Sequence, residues 1–307
     1  TILQVLNEIE QKMTERPEME YEVITVNDNS PDQVLQVLTD YAETHSWLRV
    51  VDFTKNFGQH AAMMAGLSYA AGDIVFLDDD FQCPMDKLWE LLEPLNHGYD
   101  VSLAQYKFED RKESFFRVAG SRFNDFMMCV LLDKPKHLRL TNFMAMQSFI
   151  AAELLQYKNP YPYIDGLLLR ATRKIAEVPM QDRERLSGTS TYNLKKLISL
   201  FSNGFTAFSI IPLRLSTFVG VGSSILGFCW GLYLIIHKLM YPELIDAGYS
   251  SLMAVMLFVG GMIMIMLGIC GEYIGRIYIC LNNSPQFVIR ETTHMTPEND
   301  ARHRETR

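Results

Sequence analysis

Three successive carboxylates, Asp78, Asp79 and Asp80, follow the apolar run from Ile74 to Leu77 and come shortly before Pro84. Residues two apart on an extended chain point the same way, so Asp78 and Asp80 can share one hard divalent cation, and that cation can neutralise a diphosphate. An apolar run of strand length closed by a proline predicts that these acids sit at the carboxyl end of a buried strand, where open α/β sheets bind ligands. The same residues also read as an acidic cap for a helix over residues 85–96. Arg117 and Ser121 lie four apart on a helix predicted over 115–132, so a cation and a hydroxyl there can grip a phosphate; otherwise Arg117 is a solvated surface charge. Residues 182–192 hold Arg183, Arg185, Ser187, Ser190 and Tyr192 around Gly188. A guanidinium binds two phosphate oxygens at once and glycine lets the backbone fold close, which suits a loop closing over anions; a charged surface loop is the alternative. Asp165 can face an incoming acceptor, orienting it or taking a proton, or it can cap a helix that starts at Gly166.

The elements that must position these groups alternate. The sequence opens in a helix over residues 1–14, with Ile2, Leu3, Val5, Leu6 and Ile9 on one face. Strands are predicted over 21–26, 48–53, 73–77, 99–105, 141–147 and 175–180, with helices over 33–44 and from residue 59 to Gly72. Such alternation implies a mainly parallel, doubly wound sheet, whose loops gather at one edge and bring Asp28, Lys55 and Asp78 to one crevice. An acid after an early strand can accept from a base N–H; Asp28 alone also reads as a turn residue. No Gly-x-Gly-x-x-Gly or Gly-Lys-Ser/Thr segment occurs, so a dinucleotide oxidoreductase or P-loop NTPase has no support.

Composition divides the chain. Of 307 residues 48% are hydrophobic, and the apolar ones concentrate late: 22 residues without charge separate Arg214 from His237, and 25 separate Asp246 from Glu272. Each run can cross a hydrocarbon core of about 30 Å as a helix. Lys195, Lys196 and Arg214 precede the first span and Arg276 and Arg290 follow the second, whereas Lys238 is the one Lys or Arg between them, so both ends are predicted to be cytoplasmic. Leu194, Leu197, Ile198, Phe201, Phe205 and Phe208 form an apolar face beside Lys195 and Lys196, suited to a helix in the membrane interface. No signal-peptide pattern opens the sequence, so the first span is expected to target the chain. The net charge of −8 without a basic stripe argues against a nucleic-acid partner, and five scattered cysteines indicate neither a zinc site nor a disulfide framework.

These motifs together resemble a membrane-anchored family 2 glycosyltransferase of the polyprenyl-phosphate type, the kind that includes bactoprenol glucosyltransferases and dolichol-phosphate mannose synthases. The resemblance rests on Val26-Asn27-Asp28-Asn29-Ser30, Lys55-Asn56-Phe57-Gly58-Gln59, Leu77-Asp78-Asp79-Asp80-Phe81-Gln82-Cys83-Pro84, the run from Arg185 to Tyr192, and Gly271-Glu272-Tyr273-Ile274-Gly275-Arg276. It implies the GT-A fold, a nucleotide-sugar donor (UDP-glucose or a related UDP-hexose, with GDP-mannose the alternative), Mg²⁺ or Mn²⁺, and undecaprenyl or another polyprenyl phosphate as acceptor. By the same resemblance Asp28, Lys55, Asp78 and Asp79 meet the nucleotide sugar, Asp28 at the base. Asp78, Asp80 and Gln82 hold the metal, and Arg117 with Ser121 takes the acceptor phosphate. The acceptor's own chemistry adds Arg185 and Ser190 as further anion-holding groups and Asp165 as the carboxylate that faces it, so Asp80, Asp165 and Arg185 are expected to carry the chemistry. The resemblance implies a homo-tetramer packed through glycine-bearing membrane helices. It also places a strand before the first helix, so the donor pocket is expected to be incomplete here, and it puts an acid or another polar residue where Cys83 stands.

The resulting division is a GT-A domain over 1–190, interfacial helices over 191–212, two transmembrane helices over 213–280 with a short non-cytoplasmic loop, and a cytoplasmic tail over 281–307. The expected activity is inverting transfer of one sugar at the cytoplasmic face of the inner membrane. A processive synthase would resemble its kind in a Gln-x-x-Arg-Trp segment, and Trp occurs only at 47, 89 and 230. A non-catalytic scaffold that keeps the fold is the reading from another class. A flippase or channel is the weaker reading, since two spans per chain without intramembrane charge offer no polar path unless several chains assemble.

Overall fold

The computed structural model describes residues 1–77, 83–106, 129, 134–135, 138–181, 211–240, 249–282 and 284–294. The predicted helices over 115–132 and 194–208 lie outside these residues, apart from Cys129.

Helix α1 (Ile2–Met13) forms where Val5, Leu6 and Ile9 recur at helical spacing, and these three are buried. Leu6 packs with Leu38, Leu48 and Val50, while Val5 and Ile9 join Met85 and Leu88 beside Val23, Val75 and Leu77. Strand β1 (Val23–Asn27) pairs in parallel with β2 (Leu48–Phe53) in a register that sets Val23 opposite Leu48 and Asn27 opposite Asp52. Both strands therefore end level, and their following loops leave from one edge. Helix α2 (Val34–Ala42) joins these two strands, and α3 (Gln59–Tyr69) buries Ala61, Ala65 and Tyr69 against Val51 and Phe53.

A second sheet has the order β3-β5-β4-β6, from β3 (Ile74–Phe76), β4 (Val101–Tyr106), β5 (Met144–Met146) and β6 (Ile175–Met180). Only β4 and β6 run parallel there; β5 lies antiparallel to both its neighbours. The α/β class and the two long apolar helices stand as the sequence implies, with the sheets mixed in direction. Alternation in sequence reads local connections and is blind to the sense of a short strand reached across a long one. A 3₁₀ turn (Met85–Lys87) leads into α4 (Leu88–Asn96), which packs Leu91 and Leu95 on Ala104, Phe143 and Val178. Helices α5 (Ser148–Leu155) and α6 (Ile164–Ala171) precede β6.

The chain divides into two compact units, Thr1–Phe201 with Asn283–Arg307, and Ser202–Asn282. Residues the sequence reading gives to a tail thus include β7 (Ile289–Thr293), which joins the first sheet antiparallel to β2. The second unit holds α7 (Ile211–Met240) and α8 (Tyr249–Leu281), of 30 and 33 residues. At 1.5 Å per residue these run to about 45 and 50 Å. Their apolar windows, Ser216–Tyr233 and Phe258–Leu281, have mean hydropathies of 1.2 and 1.7 and bury none of their residues. Phe218, Leu226 and Phe228 lie largely exposed, a surface that water does not tolerate and lipid does.

Candidate active site

The level ends of β1 and β2 begin the site. Asn27 is buried, and its amide donates to Asp52 Oδ1 at 2.6 Å while its own Oδ1 accepts the Ser30 N–H at 3.2 Å. The loop after β1 is thereby fixed, with Asn29 at φ 55°, a left-handed conformation that asparagine tolerates. Asp28 then reaches across: its two carboxylate oxygens accept the backbone N–H groups of Phe57 at 2.7 Å and Gly58 at 2.8 Å. Asn56 returns a bond to the Asp28 carbonyl at 3.2 Å. The loop after β2 is folded back upon the loop after β1, and Gly58 turns it into α3 with φ 93° and ψ 161°. Lys55 stays exposed with Nζ 4.9 Å from the Phe57 ring centre.

Residue 60 carries the site onward. The His60 Nδ1 accepts the Ile164 N–H at 3.4 Å, which leaves the ring proton on Nε2. Burial pushes this imidazole down to about 4, so it is neutral at pH 7. Its ring meets Tyr163 edge-on, with centroids 5.0 Å apart and planes at 79°. The Tyr163 phenol hydrogen-bonds the carboxylate of Asp165 in the first turn of α6. Burial pushes Asp165 up to about 6, and the Tyr163 bond works in the other direction. Burial, then the Asp165 charge, raises Tyr163.

Of the residues singled out from sequence, the structure brings Asp28 and Lys55 into one loop pair and ties Asp165 to the same segment through His60. Asp28 also holds the backbone of its neighbour loop, a part that turn chemistry alone does not reveal; each carboxylate oxygen retains a lone pair for a ligand. Asp78, Asp79, Asp80 and Gln82 lie outside the described residues, as do Arg117, Ser121, Arg185 and Ser190. Strand β3 delivers the chain to Leu77, the residue before the acidic run. Among the described residues no three potential ligands gather to hold a metal. Sequence reasoning missed His60, Tyr163 and Asp52. The one available signal was polar residues, Asn27 and Asp52, closing two apolar strands.

Comparison with known proteins adds to this geometry. Residues 1–155 match the family described as Glycosyl transferase family 2, and residues 211–277 match the GtrB C-terminal hairpin. An uncharacterized glycosyltransferase of Bacillus subtilis, YkcC, is 29% identical over 292 residues, spanning 94% of this chain and 90% of the relative. A prophage-derived bactoprenol glucosyl transferase of Shigella flexneri is 30% identical over 280 residues, spanning 91% and 90%. An undecaprenyl-phosphate 4-deoxy-4-formamido-L-arabinose transferase of Klebsiella pneumoniae is 31% identical over 274 residues, spanning 88% and 83%. The hairpin match falls on α7 and α8, the two helices long and apolar enough to cross a membrane, and marks a membrane protein. With half its length on the family pattern and relatives aligned along nearly all of it, the chain belongs to glycosyl transferase family 2.

Proposed function

We propose that this enzyme transfers a single sugar from a nucleotide diphosphate donor, UDP-glucose or a related UDP-hexose, to undecaprenyl or a similar polyprenyl phosphate, at the cytoplasmic face of the inner membrane. The observation that carries the reading is a family 2 catalytic unit continuous with two helices whose apolar windows are wholly unburied, an arrangement that suits an acceptor dissolved in lipid. The polyprenyl-phosphate relatives support it.

The chain's own groups divide the work. The clamp made by Asp28 presents a fixed loop whose remaining lone pairs can accept from a base N–H, with the Lys55 ammonium beside it. The acceptor, a phosphate monoester, carries about −1.5 to −2 charge at pH 7 and is already nucleophilic. One of its oxygens bonds to the anomeric carbon as the bond from that carbon to the diphosphate breaks; the electron pair leaves with the nucleoside diphosphate, and the configuration inverts. Asp165, mostly ionised above pH 6, orients the acceptor or removes its residual proton. Arg185 with Ser190, and Arg117 with Ser121, are read as the anion-holding groups. Family 2 enzymes are typically dependent on a divalent metal. The all-oxygen set of Asp78, Asp80 and Gln82 fits a hard cation such as Mg²⁺ or Mn²⁺, which supplies charge neutralisation at the diphosphate when bound. A tetramer packed through the glycine-bearing helices is part of the same reading.

Purified full-length protein incubated with radiolabelled UDP-glucose, or with GDP-mannose in parallel, and undecaprenyl phosphate should place one labelled sugar on the lipid. Asp80→Asn should lose nearly all of that transfer. Label passing from neither donor, a growing polymer, or an Asp80→Asn protein of wild-type rate would sink the reading.

A further inference from the structure

We propose that Arg290, on the strand that follows the second membrane helix, is a positioning residue of the donor pocket: it holds Asp52, and through Asp52 and Asn27 it fixes the loop that carries Asp28. The inference rests on the reading above, in which that loop meets the nucleotide. Strand β7 pairs Glu291 with Asp52 and Ile289 with Phe53, so Arg290 is the extra residue at a bulge. Bulges re-aim side chains, and this one directs the guanidinium to two acceptors: Nη1 to Asp52 Oδ2 at 3.2 Å and Nη2 to the Thr54 carbonyl at 3.2 Å. Asp52 is 1% exposed, and its other oxygen takes the Asn27 amide at 2.6 Å. Asn27 in turn accepts the Ser30 N–H. A continuous series of polar contacts therefore runs from β7 to the two ends of residues 27–30.

A second support reaches the partner loop. Phe287 stacks on Phe53 with centroids 5.3 Å apart, and Phe53 meets Phe57 edge-on at 5.6 Å. The Thr54 N–H donates to the Val288 carbonyl at 3.0 Å. Residues 287–290 thus brace both loops that the Asp28 carboxylate joins. Without Arg290 the buried Asp52 charge would keep only a neutral amide as described partner, and a buried charge so exposed to imbalance shifts its neighbours. The loop that would shift is the donor loop, so the loss should appear in donor affinity. Nothing in this series touches the acceptor-side group, Asp165.

The test uses the full chain in detergent, as wild type, Arg290→Ala and Arg290→Lys. Binding of UDP and of GDP is measured by calorimetry, and steady-state transfer to undecaprenyl phosphate from UDP-glucose, or from GDP-mannose with GDP read in place of UDP if the wild type binds only GDP, gives the KM of each substrate. Arg290→Ala should raise the UDP Kd and the donor KM about tenfold, the scale of one lost charge-assisted bond, with kcat and acceptor KM within about twofold of wild type. Arg290→Lys, which keeps the charge but not the fork, should fall between them; if the alanine variant fails to fold, the lysine variant should still show a donor KM raised about threefold. Unchanged donor KM in the variants that fold, or a fall in kcat alone in step with lost folded protein, overturns the proposal and leaves a merely structural arginine. A wild-type chain that binds neither UDP nor GDP instead overturns the nucleotide reading, and this inference with it.

Discussion

At Asp165 a carboxylate is held against its solvent preference. Its folded pKa of about 6 stands above the ordinary value of 3.8, so between these the native chain binds more protons than the unfolded one, and this residue's contribution to stability falls as pH rises through that window. Above it, an ionised group is kept in a half-buried place, an environment that suits a base near neutrality. Transfer should therefore rise with pH through about 6. The acceptor phosphate loses its second proton near pH 6 as well, so the wild-type profile alone does not separate the two. Tyr163→Phe does: it removes the bond that draws Asp165 downward, so the acid limb should move to higher pH while the phosphate limb stays. Asp165→Asn should leave only the phosphate limb. A Tyr163→Phe profile superimposed on wild type would remove Asp165 from the reaction. Asp165 was legible as a carboxylate at a helix start, but not as the cap of a helix from Gly166: the helix begins at Ile164 with Tyr163 at its cap, and Asp165 lies in its first turn. His60 was not legible, because a single histidine in an Ala-rich helix leaves no periodic trace, and its partner lies 104 residues on.

Among elements, the turn at Gly58 decides whether the Asp28 clamp can close. Its φ of 93° with ψ 161° belongs to a region open essentially to glycine, and a Cβ there would meet nothing within 4 Å, so the cost of Gly58→Ala is backbone strain and not collision. That strain amounts to about 1–3 kcal/mol. Relief would swing the Phe57 and Gly58 N–H groups off Asp28, so Gly58→Ala should lower thermal stability and also raise the donor KM. A stability loss with an unchanged donor KM would show that the clamp has no part in donor binding. The strands under this turn were readable: β2 and β6 begin and end where their β-branched and apolar runs predict. Strand β7 was not. Ile-Arg-Glu-Thr-Thr has one large apolar residue, and the strand exists because β2, more than 200 residues earlier, offers a free edge and a buried carboxylate. Patterns along a chain report burial by near neighbours; they do not report a partner of that separation.

For the whole molecule, the same strand constrains topology. Residues before α7 and after α8 build one sheet, because β2 and β7 are hydrogen-bonded in register, so whatever lies between them must leave and re-enter on the same side of a bilayer. An even number of crossings follows, and in the proposed reading α7 and α8 supply two. The apolar exposure of both helices makes a single crossing with one helix left in water costly: about 25 cal/mol for each Å² of apolar surface kept wet. An epitope inserted between Met240 and Tyr249 should then react with antibody on intact spheroplasts, whereas one appended at the C-terminus should react only after the membrane is opened. The direction is the one the proposed reading expects from the Lys195, Lys196 and Arg214 that precede the first helix and the Arg290 that follows the second. Both epitopes reactive from the same face would mean that one helix does not cross, and the sheet pairing of β2 with β7 could then survive only if neither does.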